Sequence, residues 1–495
     1  MSVVSPGRWE WRTFGESFGE AENAFAGEPE RVQESDETYF LSVQEGDTVK
    51  VRDALMDVKH LEHVNEDGLE QWLPVMKAEF PLPATDVSAV LASLRVEAPA
   101  LERDAYTLEQ LLDEVVHPCG ELLSVDVHKL RRRFTVAGCM AELSDVGAGG
   151  HSTRTIAVET EDPELVIAAV RKLGLAGRQN TSFPRGLKSL LHFGRFAVVD
   201  VGTNSVKFHI GEHRADGAWK TIVDRSEITR LGEGLDKSGK LEPEPMARTV
   251  DAIAGMAEEA GQAGVVDIAA VGTAGMRIAS NSAELVEALQ SRCGVTVEVI
   301  PGEEEARLAY RAAVAGLGIE GGSLAVFDTG GGSSQFTFGD GKSVDEQFSV
   351  DVGAVRLTEK FGLDGPVSED VVSQATAYIA ESFSRLDGRP VPDALVGLGG
   401  ATTNLAAVKH ELETYDADVV QGTVLDKDEV WRQIELYRTR TADERREIAG
   451  LQPKRAEVIL AGACVIATVM GKLGRDSLTV SDRGLRHGLL AERFG

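Results

Sequence analysis

The sequence predicts a multidomain α/β protein, with a strand-rich N-terminal region and a C-terminal region in which strands and helices alternate. Three observations carry that prediction. Residues 8–160 hold strand-like runs studded with charge. Beyond a boundary near residues 185–195, apolar runs of strand length alternate with helical patterns, and the last stretch is helical. In this C-terminal region, a pair of glycine-rich segments, Asp200-Val201-Gly202-Thr203-Asn204-Ser205 and Asp328-Thr329-Gly330-Gly331-Gly332-Ser333, each follow an apolar run.

In the N-terminal region, Thr48-Val49-Lys50-Val51-Arg52 alternates charged and apolar residues with a clean period of two, and Leu130–Val136 and Thr155–Glu159 do so less completely. Such a strand turns a charged face one way and an apolar face the other. Two helices interrupt these strands, Ala84–Val96 and Pro163–Leu173, the second behind an Asp162 N-cap. The acidic stretch Glu20–Glu37 reads as a mobile, solvated loop. Asn180–Lys188, with Pro184 and Gly186, reads as a closing turn and short linker.

In the C-terminal region the spacing predicts strands at 196–201, 206–211, 267–272, 295–300, 323–328, 334–338 and 394–398. It predicts helices at 244–262, 283–290, 303–316, 367–386, 400–409, 427–438 and 452–472. The two glycine segments share one grammar: buried strand, Asp, tight turn with hydroxyls, second strand. That echo suggests two related half-domains hinged around a cleft, with domains at 1–188, 195–320 and 321–495. The chemistry of such turns is phosphate handling. Glycines let backbone N–H groups approach an anion closely, hydroxyls add donors, and the Asp holds a hydrated divalent cation that meets the phosphate.

Composition sets bounds. There are 51 basic and 80 acidic residues, a formal net charge of −29, which disfavours binding to a nucleic-acid polymer. A polyanion site in this chain needs a local basic cleft or metal ions. No run of 18 or more apolar residues predicts a membrane span. Met1–Pro6 lacks the blocks of a signal peptide, and Cys119, Cys139, Cys293 and Cys464 show no CxxC spacing, so reduced thiols and a cytoplasmic location are expected. None of the ten histidines falls in an HxH or HExxH pattern, and His487 reads as structural.

From about Phe196 onward the sequence resembles the exopolyphosphatase/guanosine pentaphosphate phosphatase (Ppx/GppA) family of the actin-like ATPase superfamily. The resemblance rests on ordered blocks: Asp200–Ser205, Arg230–Leu235, Thr273–Asn281, Pro301–Arg307, Asp328–Ser333, Gly353–Thr358, Gly397–Gly400, Arg455–Ile459 and Gly484–Gly488. It implies two actin-like (ribonuclease H-like) lobes and removal of a terminal phosphoryl group, a reaction that needs charge neutralisation and an oriented water. It implies that Glu305 orients or deprotonates that water, whereas Glu303 and Glu304 fit the ordinary preference for acids at a helix N-terminus. Asp200 and Asp328 would hold Mg²⁺, or another divalent cation, through water. Gly202, Thr203, Asn204, Ser205, Gly330, Gly331, Gly332 and Ser333 would donate to phosphate, with Lys207 on the strand face of Ser205. Arg277 is either a bidentate phosphate clamp or a surface ion pair, and Arg307 is structural. A homodimer is implied by family analogy only.

One position departs from the family pattern. The residue two after Ser333 is Gln335, where the family carries Glu. An amide binds Mg²⁺ more weakly, so the metal site is weakened or altered. The chain ends at Gly495, soon after the last block, so the additional C-terminal helical domain of longer relatives is expected to be missing.

The N-terminal region resembles the CYTH, or triphosphate-tunnel, fold, a closed antiparallel barrel with a lumen lined by basic residues. Arg8-Trp9-Glu10-Trp11-Arg12 is similar to that family's Glu-x-Glu-x-Lys, with Arg8 and Arg12 replacing the first Glu and the Lys. Arg12, Lys50, Arg52, Lys59, Arg131 and Arg133 are candidate lumen residues, with Lys77, Glu142 and Glu159 on nearby runs; taken singly each better fits a solvated sheet face, and it is as a set that they point to a tunnel. The lost Glu favours a barrel that binds polyphosphate without cleaving it. The expected substrate is inorganic polyphosphate or a guanosine pentaphosphate-type nucleotide, and a binding protein with crippled turnover is the reading from another class.

Overall fold

A computed structural model describes residues 7–44, 46–319 and 321–495. The N-terminal hexapeptide and the boundary expected at residue 320 lie outside these. The chain divides into two compact units. One runs to Phe196 and takes in Gly211–Thr221 and Gln262–Asp267; the other comprises Ala197–Ile210, Ile222–Gly261 and Ile268–Gly495.

The first unit is built on eight strands: β1 (Arg8–Gly15), β2 (Arg31–Ser42), β3 (Thr48–Arg52), β4 (Leu55–Val64), β5 (Glu70–Glu79), β6 (Leu122–Val136), β7 (Cys139–Ala148) and β8 (His151–Thr160). They close into a barrel in the order β1-β8-β7-β6-β2-β3-β4-β5, the last pairing antiparallel with the first. The period of two decides which side chains face where. Trp11, Phe134, Ile156 and Val158 point out of the barrel and pack under the helix Pro163–Lys172 through Val166 and Val170. Phe40, Val49, Val51, Met56 and Val58 pack under the helix Ala84–Ser93 through Val87, Val90 and Leu91. The intervening residues face the lumen, most of them charged, as Glu10, Arg12, Lys50, Asp57 and Arg133 are.

Two expectations for this unit are corrected. Glu20–Glu37 is not a solvated loop: Gly19–Phe25 forms a 3₁₀ helix that buries Ala21 and Phe25, and Arg31 begins a 12-residue strand. Asn180–Lys188 is not a linker, because Phe183–Leu190 is a helix with Ser182 as N-cap and Pro184 in its first turn, where proline's missing N–H has no partner to lose. Leu187 of that helix is fully buried among Tyr39, Val125, Val127 and Val146.

The C-terminal region carries two sheets. The first comprises β9 (Gly194–Val201), β10 (Ser205–His213), β11 (Trp219–Ile228), β12 (Val265–Gly272) and β13 (Val297–Val299), in the order β11-β10-β9-β12-β13. The second comprises β14 (Leu324–Thr329), β15 (Ser334–Gly339), β16 (Val344–Val350), β17 (Ala394–Leu398), β18 (Val424–Asp426) and β19 (Ser477–Val480), in the order β16-β15-β14-β17-β19-β18. In it β14–β15 is an antiparallel hairpin and β14–β17 a parallel pair. The strands β11, β16, β18 and β19 were not expected. The predicted helix 452–472 begins only at Ile459, after a 3₁₀ turn at Pro453–Arg455. The helices Glu369–Ser382, Lys427–Arg438 and Ile459–Lys472 build one large core against the second sheet, around Phe336, Ile379, Leu405, Ile434 and Ile466. No helix among the described residues is long and apolar enough to cross a membrane.

Candidate active site

Both glycine segments fold as the connection of a hairpin closed by the same bond. Gly202 N–H donates to Ser205 O at 3.1 Å, and Gly330 N–H donates to Ser333 O at 2.9 Å. A Cβ on Gly202 would stand 2.8 Å from Ser205 O, so glycine is required there. The two turns face each other closely. A Cβ on Gly331 would lie 3.1 Å from Asn204 Cβ, and one on Gly332 would lie 3.3 Å from Thr203 Oγ1. Together they border a cleft of about 400 Å³.

Asp200, Asp328 and Glu305 do not line this cleft but lie behind the two turns, and they are held differently from one another. Asp200, at the end of β9, is 1% exposed; Oδ2 accepts from Lys207 Nζ at 2.7 Å, while Oδ1 is buried with no hydrogen bond. Asp328, at the end of β14, has its carboxyl pushed up by burial and by the Asp200 charge. Gly399, at φ 84°, leaves room for it, since a Cβ there would sit 2.3 Å from Asp328 Oδ1. Lys207 is drawn up by Asp200 and Asp328, against the effect of its burial.

Glu305 lies in the first turn of the helix Gly302–Leu317, after the Pro301 N-cap. Its Oε2 accepts from Arg277 Nη1 at 2.9 Å. Burial pushes its carboxyl up to about 7; Arg277 opposes the rise, and the Asp200 and Asp328 charges add to it. Arg277, also bonded to Ile300 O at 3.0 Å, is therefore an ion pair, but one inside the site rather than on the surface. Arg307 pairs with Glu304 and Glu492, in line with its structural reading.

Ser333 is 4% exposed, and its Oγ accepts from Gln335 Nε2 at 2.7 Å. That bond occupies a lone pair of the hydroxyl and leaves its proton for another acceptor; a Glu at this position would take the proton instead. One cation beside the turns escaped the sequence reading. Arg455 lies against Gly400, shares a small pocket with Asn204, Thr329, Gly330 and Gly331, and feels the Asp328 charge. It makes no ion pair within 4.0 Å among the described residues, so its guanidinium is available to an anion. Its block, Arg455–Ile459, was visible in the sequence, but nothing there aimed the side chain.

The cleft can accommodate a divalent cation. Asp200 offers a buried, unpartnered oxygen, with Asp328 across the turn. Among the described residues no cluster of three His, Cys, Asp or Glu ligand atoms within 4.8 Å includes either. One or two carboxylates with waters and substrate phosphate is the habit of Mg²⁺.

The barrel holds a second polar cavity, of about 180 Å³. All six expected basic residues, Arg12, Lys50, Arg52, Lys59, Arg131 and Arg133, line it; Lys77 does not. Lys129 and Tyr39 also line it and were missed, although Lys129-x-Arg131-x-Arg133 keeps the strand period, and so was Glu37, which is buried behind the lining cations. Glu37 is fully buried and accepts from Arg131 at 2.6 Å, Lys50 at 2.9 Å and Lys129 at 3.2 Å, with Arg52 at 3.7 Å. Burial works against its ionisation, but the surrounding cations hold its carboxyl well below the usual range. Glu10, Glu142 and Glu159 also line the cavity, and none falls in a metal-type cluster.

The model of the Ppx/GppA phosphatase family matches residues 209–494. The chain is 32% identical over 321 residues to exopolyphosphatase 2 of Mycobacterium tuberculosis, covering 61% of this chain and 99% of that protein. It is 27% identical over 307 residues to a bifunctional 3-dehydroquinate synthase/phosphatase of Fusobacterium nucleatum, covering 60% of this chain but only 46% of that longer protein. The solved structure of the Aquifex aeolicus Ppx/GppA family member superposes on 60% of the chain, with 96% of its own length covered, at 33% identity and a TM-score of 0.54. The ordered motifs, the facing glycine turns and these matches agree: the chain belongs to the Ppx/GppA phosphatase family.

Proposed function

We propose that this protein is an exopolyphosphatase-type phosphohydrolase that releases the terminal phosphate of inorganic polyphosphate with Mg²⁺, and that its barrel binds the polymer. The observation that carries the reading is Glu305: a buried carboxylate with an ordinary-pH titration, beside two facing phosphate-type turns. The free backbone N–H groups of the turns at Thr203–Asn204 and Gly331–Gly332, with the Ser333 hydroxyl, Lys207 and Arg455, hold the terminal phosphoryl group. Glu305 accepts a proton from a water as its oxygen bonds to the terminal phosphorus; the bridging P–O bond breaks, and the chain leaves one unit shorter. Arg277 holds the Glu305 carboxylate in place through its 2.9 Å bond. A bound Mg²⁺, near Asp200 and Asp328, would neutralise phosphate charge.

The barrel reading rests on seven cations around one small lumen and on the lack of a metal-type carboxylate cluster there among the described residues. It would supply the positive surface that a chain of net charge −29 otherwise lacks. A second substrate reading, a guanosine pentaphosphate-type nucleotide, is favoured by the apolar wall of the cleft, Ile228, Leu235, Ile278, Val355 and Val458.

The test is phosphate release from long-chain polyphosphate and from guanosine pentaphosphate, with Mg²⁺, by the wild type and Glu305→Gln. The expected result is release from the polymer that falls about 1000-fold in the variant. Release from the nucleotide alone would favour the second reading. Binding of polymer with no release from either protein would make this a binding protein on a hydrolase fold.

A further inference from the structure

We propose that His209, Asp224 and His487 form a binding site for one zinc-class divalent metal ion, which ties the first sheet of the second unit to the last helix of the chain. His209 stands on β10, two positions after Lys207 and on the same strand face. Asp224 stands on β11, the neighbouring strand. His487 stands in the first turn of the helix Leu485–Phe494. Among the described residues this is the only group of three such side chains whose ligand atoms all lie within 4.8 Å of one another.

Distances separate a metal site from a hydrogen-bonded one. His209 Nδ1 lies 3.5 Å from Asp224 Oδ2, and His487 Nε2 lies 3.7 Å from the same oxygen. Ligands bonded at about 2.0–2.2 Å around a tetrahedral ion stand roughly 3.3–3.5 Å apart. Hydrogen bonds to a carboxylate would be about 2.7–3.0 Å. Both contacts to Asp224 Oδ2 are thus near the spacing of ligands, slightly wider than ideal and longer than hydrogen bonds, and the two ring nitrogens lie within 4.8 Å of one another.

The burial of the same His209 nitrogen supports the grouping. His209 is 2% exposed, and its Nδ1 is buried without a hydrogen bond. A buried ring nitrogen left unpaired is costly unless something fills its lone pair. The surroundings are those of a supported ligand set. Asp224 is gripped by Arg486 through both oxygens, Nε to Oδ1 at 2.8 Å and Nη2 to Oδ2 at 2.9 Å. Arg486 is balanced in turn by Asp482 at 3.7 Å, itself the acceptor of Tyr415 Oη at 2.6 Å. The remaining lone pair of Asp224 Oδ2 stays with the histidines.

One contact must change. His487 Nδ1 accepts from Gly484 N–H at 3.3 Å, and coordination through Nε2 puts the ring proton on Nδ1, so this long bond is given up. Two imidazoles and one carboxylate select Zn²⁺, Co²⁺ or Ni²⁺ over Mg²⁺ and Ca²⁺, which prefer oxygen alone. The ion would therefore be distinct from the one proposed for the cleft, with a fourth position for water.

The test uses the full chain, stripped of metal and titrated with Co²⁺ and then Zn²⁺. The expected result is one Co²⁺ per chain with the visible absorption of tetrahedral cobalt, displaced by Zn²⁺ and not by Mg²⁺, and a thermal midpoint that rises with free Zn²⁺. Affinity should fall at least about 100-fold in His487→Gln and in His209→Asn, as large as the loss of outer-sphere partners alone can be. His487 is 18% exposed, so its replacement carries the test should the His209 variant fail to fold. A folded wild type that takes up no stoichiometric Co²⁺ would overturn the proposal, as would uptake undiminished in His487→Gln.

Discussion

Two buried glutamates, one in each unit, face opposite electrostatic fates. Glu37 in the barrel is ringed by Lys50, Lys129, Arg131 and Arg52, and its carboxyl is held far down. Glu305 near the glycine turns has one arginine partner and two aspartates nearby, and its carboxyl is pushed up to about 7. Glu37 is fully buried and the Glu305 side chain only 16% exposed, and burial raises both, so the opposite outcomes come from the neighbours. A carboxylate surrounded by cations is a counter-ion that no longer wants a proton; one among other carboxylates is a base poised to take it. The same contrast separates the two anion sites. The barrel offers side-chain cations already neutralised to some extent by Glu37, whereas the cleft offers backbone N–H groups at glycines, which need no counter-ion.

The sharpest way to break this comparison is to remove the counter-ion. Glu37→Gln leaves three buried cations without a counter-charge, Lys129 keeping only its bond to Tyr39 Oη, and should lower stability by about 3–5 kcal/mol. Added tripolyphosphate should restore more of that loss than it adds to the wild type, read as thermal shifts. Equal shifts in the two proteins would mean that the lumen does not bind polyanions.

The next effect is the pH dependence of Glu305. Its folded value, about 7, stands above the ordinary value of 4.5, so between these the native state keeps a proton that the unfolded chain releases. Stability present below pH 4.5 is therefore lost as pH rises through 7. Denaturation of the wild type against Glu305→Gln from pH 5 to pH 8 should show the variant gaining, by at most about 3 kcal/mol. Activity should climb over the same range, because the base form is the deprotonated one. A rate already flat at pH 5.5 would contradict the assignment.

Arg455→Ala should cost about 100-fold in kcat/KM for polymer while leaving the fold intact, since its guanidinium makes no ion pair among the described residues. A change confined to stability would make it structural. The smallest effect is expected at Gln335. Its N–H leaves the Ser333 hydroxyl proton free for phosphate, and Gln335→Glu would draw that proton away and add a charge beside Asp328. Phosphate release at saturating Mg²⁺, where the tighter metal binding of a carboxylate no longer helps, should drop roughly tenfold. Faster release at every Mg²⁺ concentration would show that the amide is the weaker choice.

What the sequence determined by itself was whatever short-range geometry enforces. The turns at Gly202 and Gly330 are legible because a bond to the residue three ahead and a close backbone approach admit so few side chains. The strands of the barrel are legible as a period of two, and the helix Lys427–Arg438 as a period of 3.6. Tertiary structure alone decided which way a charged face turns. Glu37 sits in an acidic stretch that reads as solvated, and only closure of the barrel carries it inside. Lys129 obeys the same period as Arg131, yet nothing local shows that its neighbours across the lumen are cations. Arg455 gained its cleft from the packing of a distant helix, and Glu305 its high proton affinity from burial and from Asp200 and Asp328 on two other strands. His209, Asp224 and His487 come from two strands and the final helix, so no spacing along the chain could group them. Burial and charge coupling depend on distances through space, and a sequence records those only where the backbone itself fixes them.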